Sequence, residues 1–127
     1  QDLSGNGNSV FIDQIGNENR VEAKQRQIGN VEINLIEVYQ EGTENKAFIL
    51  QDGAGNQIHT IQFGTENIHD INLQGTGNSV LVLQEGLKNR VIQELSDFSD
   101  VNVTFIQQGN ENEIHEAFAK ARNEIKA

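Results

Sequence analysis

Asn78-Ser79-Val80-Leu81-Val82-Leu83-Gln84-Glu85-Gly86-Leu87-Lys88-Asn89 carries the pattern that organises the whole chain. Side chains alternate across a strand, so Asn78, Val80, Val82 and Gln84 share one face: an amide, two aliphatics, an amide. Gly86 supplies the backbone freedom for a tight reversal, and Asn89 starts the pattern again. Working outward in both directions, units begin at positions 8, 19, 34, 45, 56, 67, 78, 89, 101 and 112, a spacing of 11 apart from two offsets. The first position is Asn8, Asn19, Asn34, Asn45, Asn56, Asn67, Asn78, Asn89 and Asn112, with Val101 as the exception. The second residue after it is Val, Ile or Ala in nine of ten units. The sixth is Gln14, Gln25, Gln40, Gln51, Gln62, Gln84 or Gln107, and the eighth is Gly16, Gly42, Gly53, Gly64, Gly75, Gly86 or Gly109.

Each unit reads as a strand of about six residues followed by an arc of about five. Two units make one strand–arc–strand–arc coil. The chain is therefore expected to be all-β, a β-solenoid of about five 22-residue coils over 8–29, 34–55, 56–77, 78–100 and 101–122 that stacks into cross-β amyloid. A four-residue insertion, 30–33, follows the first coil. Residues 1–7 form an N-terminal flank, the repeat region covers 8–118, and 119–127 is a C-terminal tail. Coils stacked about 4.8 Å apart set equivalent residues above one another. Buried Asn and Gln then become ladders in which each amide donates to one neighbour and accepts from the other.

Composition agrees with that architecture. Hydrophobic residues make up only 35% of the 127, with one Tyr, six Phe and no Trp or Met, too few large apolar side chains for an ordinary core. Asn and Gln number 29. The absence of Pro suits uninterrupted β-stacking rather than a disordered tail. A net charge of −10 with nine scattered Lys and Arg argues against nucleic acid or an anionic membrane as partner. Without Cys there is no disulfide framework, thiolate metal site or Cys nucleophile. No apolar stretch approaches the roughly 20 residues that span a bilayer. A start at Gln1 rather than Met is expected of a mature form with its signal peptide removed.

The bare end coils suggest a function. They expose unpaired backbone groups and ladder amides, and the seven-residue flank is too short for a convincing cap. The obvious partner is the same coil of a second copy, and a head-to-tail contact of that kind does not close, so it gives a filament.

The pattern resembles the curlin repeat, Ser-x5-Gln-x-Gly-x-x-Asn-x-Ala-x3-Gln. Gln14-Ile15-Gly16-Asn17-Glu18-Asn19-Arg20-Val21 closing at Gln25, Gln51-Asp52-Gly53-Ala54-Gly55-Asn56-Gln57-Ile58 closing at Gln62, and Gln84-Glu85-Gly86-Leu87-Lys88-Asn89-Arg90-Val91 carry the likeness. It covers residues 8 to 118, with Val or Ile in the Ala slot, Leu73 and Leu95 in Gln slots, and His69 and Gln93 in aliphatic slots. The resemblance implies a secreted subunit of extracellular, cell-surface-attached fibres that support biofilm and adhesion. It also implies a nucleating curlin, an outer-membrane export channel and accessory factors as partners beside the chain itself. Major and nucleating subunit are both compatible with it.

Other chemistries find little support. His59, His69 and His115 fall at different repeat positions, so no ladder aligns them for a metal, and no cofactor is expected. Asp13, Asp52, Asp70, Asp97 and Asp100 are also out of register and read as solvated charge or aggregation gatekeepers. No motif surrounds Ser4, Ser9, Ser79, Ser96 or Ser99, so catalysis is not expected. The alternative is a soluble capped solenoid of the ice- or surface-binding type. Thr43 and Thr65 are the only hint of a Thr array, and the Gly-free stretch 116–127 is a candidate capping helix.

Overall fold

A computed structural model describes residues 2–4, 8–27 and 33–118. The strands are β1 (Asp2–Ser4), β2 (Ser9–Asn17), β3 (Arg20–Gln27), β4 (Leu35–Thr43), β5 (Lys46–Ala54), β6 (Gln57–Thr65), β7 (Ile68–Thr76), β8 (Ser79–Leu87), β9 (Arg90–Ser99), β10 (Asn102–Asn110) and β11 (Glu113–Phe118). They form two parallel sheets, one in the order β1-β3-β5-β7-β9-β11 and the other β2-β4-β6-β8-β10. The chain thus alternates between sheets and climbs one level with each pair, which is the expected β-solenoid. Repeat positions stand above one another: Gln40 pairs with Gln62, Gln62 with Gln84, and Gly42 with Gly64.

The core lies between the sheets. Ile36, Ile58, Val80 and Val103 bury one column from the even strands, and Val38, Val82 and Phe105 bury most of the next. Ala47, Ile49, Ile71 and Val91 face them from the odd strands. Alternation accounts for this: β8 reads half-buried, buried, exposed, buried along Ser79-Val80-Leu81-Val82.

The strands are longer and the arcs tighter than the repeat suggests. Most strands run nine residues with two-residue connections such as Glu44–Asn45. The repeat glycine does not end the strand. It stays in the ladder at φ between +104° and +146°, bending the chain without breaking the pairing. The corner itself belongs to the residue before the first position of most units. Glu18, Glu44, Glu66, Lys88, Asp100 and Glu111 have φ of 56–58°, and Gly55 and Gly77 take the equivalent places. The N–H groups of Glu44, Glu66, Gly77, Lys88, Asp100 and Glu111 bond one coil back, as Glu66 N to Thr43 O and Lys88 N to Thr65 O, so these corners are laddered too.

Both offsets in the repeat have a place. The longer one falls largely on residues 28–32, outside the described residues. The one-residue offset is absorbed in the ten-residue β9, where the register against β7 shifts between Leu73 and Gly75. The termini differ from expectation. The flank contributes β1, which pairs with β3 at Lys24–Arg26. Glu116–Phe118, assigned to a candidate helix, continue β11 in register with Gln93–Leu95, and 119–127 lie outside the described residues.

In the even sheet, where Gly16, Gly42, Gly64, Gly86 and Gly109 stack, the close approach of one level to the next leaves no room for anything larger. A Cβ on Gly64 would stand 2.1 Å from Gly86 O, on a backbone with φ +113°. Gly64→Ala should therefore cost more than about 2 kcal/mol through strain and clash together, read as a lower denaturation midpoint of the monomer by far-UV circular dichroism. A midpoint within error of wild type would contradict the stacked column.

Candidate assembly site: amide ladders and open sheet edges

Gln14, Gln40, Gln62, Gln84 and Gln107 form one continuous ladder in the even sheet. Each Nε2 donates to the next Oε1, at 2.7, 2.6, 2.8 and 2.9 Å. The second N–H of Gln40, Gln62, Gln84 and Gln107 reaches a backbone carbonyl of the facing sheet, such as Gln62 to Lys46 O at 2.9 Å. Gln40, Gln62 and Gln84, polar side chains inside the column, are thus buried with both hydrogens and the oxygen satisfied.

The Asn columns run in the opposite hydrogen-bond direction. Asn45, Asn67, Asn89 and Asn112 each donate their backbone N–H to the Oδ1 of the Asn one coil earlier. Asn56 and Asn78 do the same in the other column, and Val101 N takes the place of the missing Asn by bonding Asn78 Oδ1 at 3.1 Å. The Nδ2 groups hold the corners, as Asn67 bonds both Phe63 O and Gly86 O. Asn34 Nδ2 bonds Asn8 Oδ1 and Gly53 O, and Asn19 Nδ2 bonds Gly42 O.

The odd sheet is less regular. Gln25 donates to Gln51 at 2.8 Å, but the column then becomes Leu73 and Leu95, both fully buried. Gln25 Oε1 has no partner, and neither amide atom of Gln93 does. His69, in an aliphatic slot between Ala47 and Val91, is fully buried; its Nδ1 lies 2.7 Å from Thr60 Oγ1 and its Nε2 is unpartnered. Asp52, expected to be solvated, is instead buried at the strand end and bonded by exposed Arg26. Among the described residues, no group of three or more His, Asp or Glu is placed to hold a metal.

The two ends differ in what they offer. At the β2 end, exposed Gln14 has used its Nε2 inward, and no donor among the described residues reaches its Oε1. At the β10–β11 end, Gln107 turns its Nε2 edge outward, and Asn112 presents an Oδ1 that accepts from no described residue. Among the described residues no strand covers the outer backbone edges of β2 and β10. The glycines follow suit: a Cβ on Gly16, Gly42, Gly64 or Gly86 would meet the next glycine's oxygen at 1.9–2.1 Å, and one on Gly53 would meet Gly75 O at 1.8 Å. Among the described residues, a Cβ on Gly109 would meet nothing nearer than Asn112 Nδ2 at 3.7 Å.

The ladders can be tested by substitution. Gln62→Ala removes an acceptor for Gln40 and a donor for Gln84, so it should cost about 1–3 kcal/mol, and more than Gln25→Ala, which breaks a single amide–amide bond. Equal denaturation midpoints for the two variants would contradict the cooperative ladder. Burial lowers the His69 pKa from the ordinary 6.5 to about 3. The unfolded chain then binds one more proton between those values. The stability that His69 contributes is full above about pH 6.5 and falls by about 1.4 kcal/mol per unit as the pH drops toward its folded value. His69→Val should flatten the acid limb of a stability–pH profile; an unchanged slope would place the acid sensitivity elsewhere.

Residues 34–67 match the family model of the curlin associated repeat. The match bears out the resemblance to the curlin repeat over those residues. No curated protein and no solved structure matches the chain.

Proposed function

We propose that this chain, which carries the curlin repeat, is a fibre subunit that joins head to tail into an extracellular functional amyloid of the curli type. One observation carries this reading: the two ends are complementary in hydrogen-bond polarity. Gln107 Nε2 of one copy would donate to Gln14 Oε1 of the next, and Asn19 N would donate to Asn112 Oδ1, each in the direction its column follows inside the chain. Head-to-head contact would set Gln107 donors against Gln107 donors. A polar, translational joint is therefore favoured, and it propagates without closing. Every Gln, Asn and Gly of the columns takes part, the interior ones by rigidifying the stack and Gln14, Asn19, Gly16, Gln107, Gly109 and Asn112 by forming the joint.

A fibre of this kind supports a biofilm matrix and surface adhesion. Its partners are first the chain itself, then a nucleating curlin and the export channel and accessory factors that the family uses. All of these rest on the repeat resemblance rather than on any feature of the ends.

Gly109→Ala tests the joint. Inside the chain its new Cβ has room, so the monomer should lose only the roughly 1–3 kcal/mol that φ +104° costs a non-glycine residue. In the joint it would strike the Gly16 carbonyl of the next copy. The folded variant should add to wild-type seeds and stop their growth, cutting thioflavin-T amplitude at least tenfold when used alone. Growth at the wild-type rate would overturn the head-to-tail geometry.

A further inference from the structure

Among the described residues the two sheets are unequal, six strands against five, because β1 has no counterpart beside β2. This inequality bears on the joint, and its consequence depends on the head-to-tail reading. If β2 of one copy docks on β10 of another, β3 docks on β11 at the same level. Column by column, Arg20, Lys46, Ile68 and Arg90 are equivalent, as are Gln25, Gln51, Leu73 and Leu95. Since β11 covers Arg90–Leu95 of its neighbour β9, the β11 of a second copy would cover Arg20–Gln25 of β3. But β1 already holds Lys24, Gln25 and Arg26 through Asp2, Leu3 and Ser4. The two strands overlap at Lys24 and Gln25, where Leu3 stands in the column position that Phe118 of the second copy would take.

We propose that the edge of β3 is the docking site for β11 of a second copy and that β1 is a displaceable plug that keeps this site closed in the free chain. Joining around a seated β1 would leave β10 and β2 two strand spacings apart, about 9.6 Å, with their backbone groups unpaired across the gap. Displacing it exchanges a three-residue pairing for a six-residue one and lets the nine-residue edges of the even sheet meet. The end state therefore favours the second copy. The approach favours β1, because a tethered strand competes at an effective concentration of about a millimolar, far above a micromolar partner. The result is a concentration-dependent delay before the first joint forms, built from the chain itself.

A reversible lock tests the plug. The chain has no cysteine of its own, and Asp2 pairs with Lys24 on adjacent strands, a Cα separation of about 5 Å that a disulfide accommodates. The full-length Asp2→Cys/Lys24→Cys chain, oxidised, should elongate seeds at least tenfold more slowly than the same chain reduced with dithiothreitol, with matching far-UV circular dichroism in the two states. Leu3→Pro, which weakens β1 pairing without any lock, should shorten the lag at least threefold. Elongation at equal rates in both redox states, or a lag in Leu3→Pro as long as wild type or longer, would overturn the plug. Wild-type chain run alongside tests the premise separately: if it gives no filaments at all, the head-to-tail reading fails and not merely the role of β1.

Discussion

Burying a carboxamide is costly unless both its hydrogens and its oxygen find partners. A stack of identical amides about 4.8 Å apart pairs the oxygen and one hydrogen along the stack, and a carbonyl of the facing sheet takes the other hydrogen. That constraint governs the rest of the molecule. It fixes parallel pairing, because only parallel strands bring Gln40, Gln62 and Gln84 into one line. It fixes the register, since a one-residue slip would turn the amides to solvent and the outward residues into the core. It lets a chain with few large apolar residues bury an interior of amides and small aliphatics. The glycine column adds the second constraint: carbonyl oxygens sit where a Cβ would stand, so each coil follows the backbone path of the one before it.

Much of this is legible in the sequence because the solenoid repeats in space what the chain repeats in order. The alternation within Asn78–Gln84 identifies the buried face, and the 11-residue period identifies the coil. Local geometry that no column of identical residues marks is not legible in the same way. The corner residue is Glu, Lys, Asp or Gly at different levels, so its left-handed conformation leaves no consensus; Gly55 and Gly77 are the available clue. The repeat glycine looks like a strand terminator because glycine usually ends strands, yet here its positive φ bends a strand that goes on pairing. Three residues of β1 are too few for any periodic signal. Glu116 to Phe118 carry good helix formers, but the free edge of β9 overrides that propensity. Asp52 reads as solvated in the sequence because its setting depends on Arg26 one coil earlier on β3, a pairing no repeated residue marks.

Departures from the repeat gather in the odd sheet. His69, Leu73, Gln93 and the register shift in β9 lie on two adjacent strands, while the even sheet keeps its Gln column whole. Leu73 and Leu95 show that an amide column can end where leucine stacks on leucine, since a pair of apolar residues leaves nothing unsatisfied between them. His69 and Gln93 do leave buried polar atoms without partners, a cost near the middle of the stack that the other columns offset. The even sheet, continuous from Gln14 to Gln107, is therefore the strand register on which both the fold and the proposed joint chiefly rest.

If one copy continues the register of the next, each adds five strand levels, about 24 Å of fibre. With a chain mass of 14.1 kDa, a single filament would hold about 0.6 kDa per Å of length. Mass-per-length measurement by scanning transmission electron microscopy on unstained filaments reads this directly. A value near 0.6 kDa per Å in the thinnest filaments, with integral multiples in bundles, is the predicted result. A value of about 0.3 kDa per Å or lower, as copies joined like beads would give, or a β-rich monomer that forms no filaments, would contradict a solenoid continued from copy to copy.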